Sequence, residues 1–292
     1  MTSDHEFQLN KRHIARHFAR AAASYDRVAV LQREIGERLL ERLEVLKLIP
    51  AQVLDVGCGT GHLTRALARR YAKATVYGLD IAPALLRIAR GKRRWFTRSA
   101  FVAGDAERLP IANDSVDLLA SNLALQWCEL EAAFPEFLRV LRPGAAVFFT
   151  TFGPDTLREL RAAWAAVDSS VHVHRFLDMH DVGDALARAG FADAVMDVER
   201  MTLEYADPRE VLRDLKALGA NNAAGQRAPG LLGKDKFHRF LDAYAAQRIG
   251  GKIPASYEVV FGHAWAPAQK PVSRRRADGH ITVPLSSLRR RP

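Results

Sequence analysis

Apolar and polar positions recur along the chain with two different periods, and the changes of period mark out the elements. From about Asn10 to Leu48 the pattern is helical, with Ile35, Leu39, Leu43 and Leu46 three or four residues apart on one face, and Pro50 closes it. Val53-Leu54-Asp55-Val56 is then a short apolar strand running into Gly57. His62–Arg70 returns to the helical period, Val76-Tyr77-Gly78-Leu79 reads as a second strand, and Pro83 stands where a helix start tolerates it. Further strands are predicted at Ala100–Ala103, Val116–Ser121 and Ala145–Thr151, with helical stretches between them. Such alternation predicts an α/β fold, a doubly wound, mostly parallel sheet covered on both faces. Beyond Phe152 the order changes. Helices are predicted from about Asp155 to Val167 and from Asp181 to Ala189, then a strand over Ala194–Glu204, a helix-rich stretch over Pro208–Ile249 and a last strand over Tyr257–Trp265. The count is seven strands, and the helical insertion before the last one, with the N-terminal helices, is placed to form a lid. The expected organisation is a helical cap over 1–48, a main domain over 49–267 with its insertion at about 206–252, and a basic, disordered tail over 268–292.

Charge changes this picture little. Of the net +10, the segment Ala268–Pro292 holds seven Lys/Arg and one acid, so the body is only mildly basic. A basic tail attracts acidic partners in general, but a solvated tail explains it equally well, and nucleic acid is not the expected partner. No apolar run reaches the ~20 residues that span a bilayer, and the first twenty residues lack the apolar core of a secretory signal. Two cysteines, Cys58 and Cys128, make no disulfide framework, so a reduced, cytoplasmic setting is expected. His13 and His17 stand four apart as in a zinc helix, but Ile14 replaces the required glutamate. His172, His174 and His180 have no cysteine or spaced acid to complete a set, so no metal site is expected.

The chemistry concentrates at strand ends. Asp55-Val56-Gly57-Cys58-Gly59-Thr60-Gly61 lies between a strand and a helix, where Gly57, Gly59 and Gly61 let the backbone turn tightly and approach a ligand. The glycines alternate strictly, unlike the dinucleotide fingerprint, and Gly61 is followed by His62-Leu63 rather than the Lys-Ser/Thr of a phosphate loop. A ligand with a cationic amino-acid end suits Asp55 better than a phosphate does. Asp80, followed by Ile81, ends the second strand, where a carboxylate can accept both hydroxyls of a ribose. Asp105, followed by Ala106, follows the third and can accept from an adenine amino group. Ser121-Asn122-Leu123 follows the fourth. Singly, Asp80 and Asp105 read equally well as helix N-caps. Jointly, in this order, the set resembles the motif series of class I S-adenosylmethionine-dependent methyltransferases, with their Rossmann-like sheet.

A more specific resemblance rests on Phe18-Ala19-Arg20-Ala21-Ala22-Ala23-Ser24-Tyr25-Asp26 with Leu31-Gln32, and on Ser121-Asn122-Leu123-Ala124-Leu125-Gln126-Trp127-Cys128. Thr150-Thr151-Phe152, His174-Arg175-Phe176-Leu177 and Leu215-Lys216-Ala217-Leu218-Gly219-Ala220 extend it. These stretches resemble the malonyl-[acyl-carrier protein] O-methyltransferases of biotin synthesis over about Lys11–Trp265. The resemblance implies methylation of the free carboxylate of a malonyl thioester, carried on acyl carrier protein or on coenzyme A, with S-adenosylmethionine as cofactor. It also implies an acidic carrier as partner, which basic residues of the insertion such as Arg213 and Lys216 would suit.

The residues expected at the cofactor are Gln32, Asp55, Gly57, Gly59, Gly61, Asp80, Ile81, Asp105, Ala106 and Asn122. At the acceptor, Arg175 is expected to anchor the carboxylate while Tyr25, Gln126 and Trp127 wall the transferred methyl. Arg175 as a surface ion pair, and Tyr25 and Trp127 as core aromatics, are the plain alternatives. Two other functions use the same scaffold. Phe152-Gly153-Pro154-Asp155-Thr156-Leu157 and Ala255-Ser256-Tyr257 resemble the arginine hydroxylases that assemble respiratory complex I, and a non-catalytic cofactor-binding module is the third reading.

Overall fold

The computed structural model describes residues 10–93, 97–173, 175–220 and 233–269. Seven strands form one sheet: β1 (Gln52–Val56), β2 (Thr75–Asp80), β3 (Ser99–Ala103), β4 (Val116–Asn122), β5 (Leu141–Phe152), β6 (Ala192–Tyr205) and β7 (Ile253–Trp265). Their spatial order is β3-β2-β1-β4-β5-β7-β6. The first five pair in parallel, and β7 runs antiparallel between β5 and β6. The chain moves outward from β1 to β3 and then returns to β4 on the other side. That reversal opens a crevice at the carboxyl ends of β1 and β4, the place where open α/β sheets bind ligands.

Each face of the sheet is buried by its own layer. In β1, Val53 belongs to the cluster containing Ile35, Leu39, Leu67 and Phe240, whereas its neighbour Leu54 belongs to the one containing Phe134, Phe137 and Leu186. Alternation of side chains across a strand sends neighbours to opposite cores. Each fully buried apolar side chain of this size contributes about 1.5–3 kcal/mol, so Val53, Leu54 and Val56 of β1 anchor both layers at the sheet centre.

Helix α3 (His62–Arg70) matches its predicted span, and α4 (Pro83–Gly91) starts on its proline. The N-terminal helix differs from expectation. It divides into α1 (Lys11–Val28) and α2 (Val30–Arg42), breaking at Ala29, whose ψ of 45° leaves the helical range. The two halves bury different surfaces: Ala22 of α1 packs with Ala82 and Leu85, while Leu31, Ile35 and Leu39 of α2 join the sheet core. One straight rod could not reach both. After α5 (Leu130–Val140), α6 (Arg158–Ala165) and α7 (Met179–Ala189), the insertion supplies α8 (Pro208–Ala217) and α9 (Lys234–Ala245). Strand β5 starts four residues earlier than predicted, at Leu141. Arg142 there pairs with Asp117, a structural contact. Nearly all of the basic tail, from residue 270 on, lies outside the described residues.

Candidate active site

The turn after β1 is held by its neighbour strand. The backbone N–H groups of Gly57 and Cys58 both donate to the Leu79 carbonyl, at 2.8 and 2.9 Å. Gly57 has φ of +74°, and a Cβ there would collide with that of Ala124. Gly59, at φ +55°, instead faces the Tyr25 ring with ordinary contact distances of 3.8–3.9 Å. Gly57 therefore keeps the turn close to the loop after β4, and Gly59 keeps the cavity floor bare.

Asp80 ties this turn to α4. Its Oδ2 accepts from Gly59 N and its Oδ1 from Ala82 N, both at 2.8 Å. Asp80 is not the helix N-cap, which is Ala82; its carboxylate closes the turn just before α4 and lines the cavity. Asp105 accepts locally from Glu107 N at 3.1 Å, and Lys11 of α1 reaches over to it at 3.4 Å. Lys11 also donates to the Trp127 carbonyl at 3.0 Å and pairs with Glu107 at 2.6 Å. These contacts latch the start of α1 across the cavity mouth.

The cavity encloses about 870 Å³ including its open mouth. It brings together Tyr25, Gln32, Gly57, Gly59, Asp80, Ile81, Asp105, Ala106, Asn122, Gln126 and Trp127. Three expected residues fall outside its lining. Asp55 is buried, with Oδ2 accepting the Thr64 hydroxyl at 2.5 Å, and it borders only a smaller neighbouring cavity. Gly61 is the N-cap residue of α3 and faces Phe101 and Ala89. Arg175 is exposed and lines neither this cavity nor the one beside it. Asn122 lines the cavity, but its polar atoms are committed: Nδ2 donates to the Gln32 carbonyl and Oδ1 accepts from the Thr150 hydroxyl, each at 2.8 Å. It fastens α2 to the sheet.

Other wall residues escaped sequence reasoning. Phe18 meets Trp127 edge-to-face at 5.5 Å, and Phe152 separates the cavity from a second, more apolar chamber. Phe18 belongs to a stretch that carries the family resemblance but has no expected role, and nothing in the local pattern singles out Lys11. His174 lies outside the described residues. Among the described residues no group of three or more His, Cys, Asp or Glu side chains is gathered to hold a metal ion. Both described cysteines are free thiols.

Burial pushes the Asp80 carboxyl up to about 6, against the pull of its two backbone donors, and burial raises Asp55 to about 7. The side-chain oxygens Gln32 Oε1 and Gln126 Oε1 are buried with no hydrogen-bond partner. Such orphaned acceptors are costly unless a ligand brings donors. A cavity with four acceptor side chains, Asp80, Asp105, Gln32 and Gln126, fits a ligand rich in hydroxyl and amino donors and carrying positive charge.

Comparison with known proteins agrees. A family model described as a methyltransferase domain matches residues 54–149, from β1 into β5. The fold resembles the YcgJ protein of Bacillus subtilis, with a TM-score of 0.58 at 14% identity over 79% of this chain and 98% of that one. It also resembles a putative methyltransferase of Bacillus halodurans, with a TM-score of 0.55 at 17% identity over 79% and 99% of the two chains. Sheet order, glycine turn and family model define an S-adenosylmethionine-dependent methyltransferase of the class I fold. The donor-rich nucleoside and sulfonium of that cofactor fit the acceptors present, and both Asp80 and Asp105 line the cavity.

Sequence relatives narrow the class. The malonyl-[acyl-carrier protein] O-methyltransferase of Halorhodospira halophila is 50% identical over 288 residues, covering 97% of each chain. That of Laribacter hongkongensis is 50% identical over 93% of this chain and 94% of its own length, and a Coxiella burnetii relative is 40% identical over 98% of each. The chain belongs to the malonyl-[acyl-carrier protein] O-methyltransferase family.

The raised carboxyls predict a pH dependence. An acid whose folded-state value lies above its unfolded one binds protons on folding, so the ligand-free protein loses stability as pH rises from about 4 to about 7. A cationic, donor-bearing cofactor favours ionised Asp80, so its affinity rises with pH, by about tenfold between pH 5 and 7. Calorimetric titration with S-adenosylmethionine across that range checks the slope, and Asp80→Asn should flatten it.

Proposed function

We propose that the chain transfers a methyl group from S-adenosylmethionine to the free carboxylate of malonyl-[acyl-carrier protein], giving the methyl ester, an early step of biotin synthesis. The observation that carries this reading is the pairing of two cavities across a common wall. Beside the acceptor-rich cavity lies a chamber of about 1100 Å³ including its open side, walled by Leu31, Leu160, Trp164, Leu212 and Tyr257. Gln32, Trp127, Phe152, Leu218 and Ala220 border both. The uncharged thioester arm suits the apolar chamber, while the carboxylate meets the cofactor at the shared wall.

When bound, S-adenosylmethionine supplies a methyl group on a positively charged sulfur. Transfer to a carboxylate oxygen would form the O–CH3 bond as the S–CH3 bond breaks, with the bonding pair returning to sulfur to give the neutral thioether S-adenosylhomocysteine. A malonyl carboxylate is ionised at neutral pH, so no proton moves and no general base is needed. The protein's task is to position the oxygen and keep it dry. Burial and the nearby Asp80 hold the Tyr25 phenol well above its ordinary value, so it stays a hydrogen-bond donor. Tyr25 then orients the carboxylate, Gln126 meets the positive end of the cofactor, and Phe18, Trp127 and Phe152 exclude water. Arg175 precedes Phe176 of the chamber wall in the chain but lines neither cavity, so no anchoring role at the transfer point falls to it. Nothing in the site or among the relatives favours an arginine hydroxylase or a non-catalytic module.

The test is transfer of labelled methyl from S-adenosylmethionine to malonyl-carrier protein, read as base-labile label on the thioester. Transfer to malonyl but not acetyl carrier protein is expected. Tight cofactor binding without transfer to either malonyl-carrier protein or malonyl-coenzyme A would overturn the assignment.

A further inference from the structure

Helix α1 has two unlike faces. At 100° per residue, Lys11, Ile14, Phe18 and Tyr25 fall on one side, and all four line the cofactor cavity. Arg12, Arg16, Arg20 and Arg27 fall on the opposite side, and all four are exposed. Their row spans about 22 Å at 1.5 Å per residue. The single acid of the helix, Asp26, is turned away to the Thr60 hydroxyl and Lys92. Among the described residues none of the four arginines has an ion-pair or hydrogen-bond partner. Several other surface arginines, Arg38, Arg42, Arg70, Arg142 and Arg188, each meet a carboxylate, whereas isolated ones such as Arg69 and Arg87 meet none among the described residues; the row on α1 sets four unpaired guanidinium groups on one face.

Like charges at i and i+4 destabilise a helix, so the successive pairs among Arg12, Arg16 and Arg20 cost stability with no internal return. A solvated face needs no such row, since interspersed signs dissolve a protein equally well. The position is as telling as the charge. Helix α1 is the roof of the cavity, held there by the Lys11 latch and by the Ser24 hydroxyl donating to the Ala217 carbonyl at the end of α8. Helix α8 also exposes Arg209, Arg213 and Lys216 along one face, with Arg213 near Glu210.

We propose that the arginine row of α1 is the docking surface for the acidic face of the protein that carries the acceptor. The inference rests on the carrier-borne acceptor proposed above. Docking here sets the carrier against the outer side of the cavity roof, within reach of the chamber that receives its thioester arm. Charged rim contacts of this kind speed encounter and fix orientation, and they weaken with salt.

The test uses the full chain with Arg12, Arg16, Arg20 and Arg27 changed together to Gln, and separately Arg16→Glu with Arg20→Glu. Binding of malonyl-carrier protein, followed by fluorescence anisotropy, is expected to weaken about tenfold or more at low salt. The loss should shrink as salt rises. The KM for malonyl-carrier protein rises in parallel, whereas kcat, cofactor affinity and the KM for malonyl-coenzyme A stay at wild-type values. Unchanged carrier binding in both variants, or a loss shared equally by malonyl-coenzyme A, overturns the docking surface, as does a wild-type protein that does not bind the carrier. Carrier binding that depends on the row, without methyl transfer, would instead overturn the proposed reaction and leave the docking surface standing.

Discussion

Replacing Asp80 by alanine is expected to weaken S-adenosylmethionine binding by about 100-fold or more while the protein still folds. The carboxylate is the one charged acceptor at the end of β2 that both faces the cavity and is fixed by backbone donors, Gly59 N and Ala82 N. A charge-assisted hydrogen bond contributes about 1.5–3 kcal/mol, and a ribose offers two hydroxyls. Their loss together amounts to roughly 3–6 kcal/mol, which is two to four decades of affinity. Stability moves less, because opposing effects meet at one site. Two backbone donors lose their acceptor, but a buried carboxyl with a raised proton affinity disappears. Asp80→Asn keeps one acceptor oxygen and should fall between the two. Isothermal calorimetry with the cofactor, alongside thermal melts without it, checks both halves. Wild-type affinity in the alanine variant would remove Asp80 from the ribose site.

Gly57→Ala should be the most damaging change in the turn, lowering stability by about 2–5 kcal/mol. A left-handed residue with a Cβ costs about 1–2 kcal/mol, and forcing that Cβ against Ala124 adds about 1–3 kcal/mol of overpacking. For a chain of this size the melting temperature falls by roughly 5–15 °C. Gly59→Ala makes the informative contrast. Its φ is also positive, but the new methyl would stand beside the Tyr25 ring at ordinary distance. It should cost less stability than Gly57→Ala and proportionately more cofactor affinity, because the methyl occupies cavity floor. Equal stability losses in the two variants would show that backbone strain alone, not the close approach to Ala124, sets the cost.

Much of this molecule follows from local pattern. The apolar run of β1 reads as a strand because both its faces are buried, and Pro83 marks a helix start because its missing N–H is not needed there. Gly57, Gly59 and Asp80 are legible for a related reason. Their chemistry is bound to strand ends, and strand ends are visible in the alternation of periods. Placement across the fold was not legible. Asp55 stands next to the glycine turn in the chain, yet it is buried behind that turn with Oδ2 on the Thr64 hydroxyl and lines only a smaller neighbouring cavity; Asn122 ends β4 in the expected place, yet its amide joins α2 to β5. Arg175 sits in a stretch that resembles the family and still comes to rest outside both cavities. Direction of a side chain depends on which surface its element packs against, and no spacing rule carries that information.

The same limit explains the N-terminal region. A single helical period runs through Ala29, but α1 and α2 bury stripes against different partners, α1 over the cofactor cavity and α2 against the sheet. Local periodicity specifies that a segment is helical and which residues share a face. Where the helix must break, and that Lys11 spans more than ninety positions to reach Asp105, follow from contacts between segments distant in the chain. Those contacts exist only once the sheet has assembled, because the free energy that bends and latches the helices is gained from the surfaces it brings together.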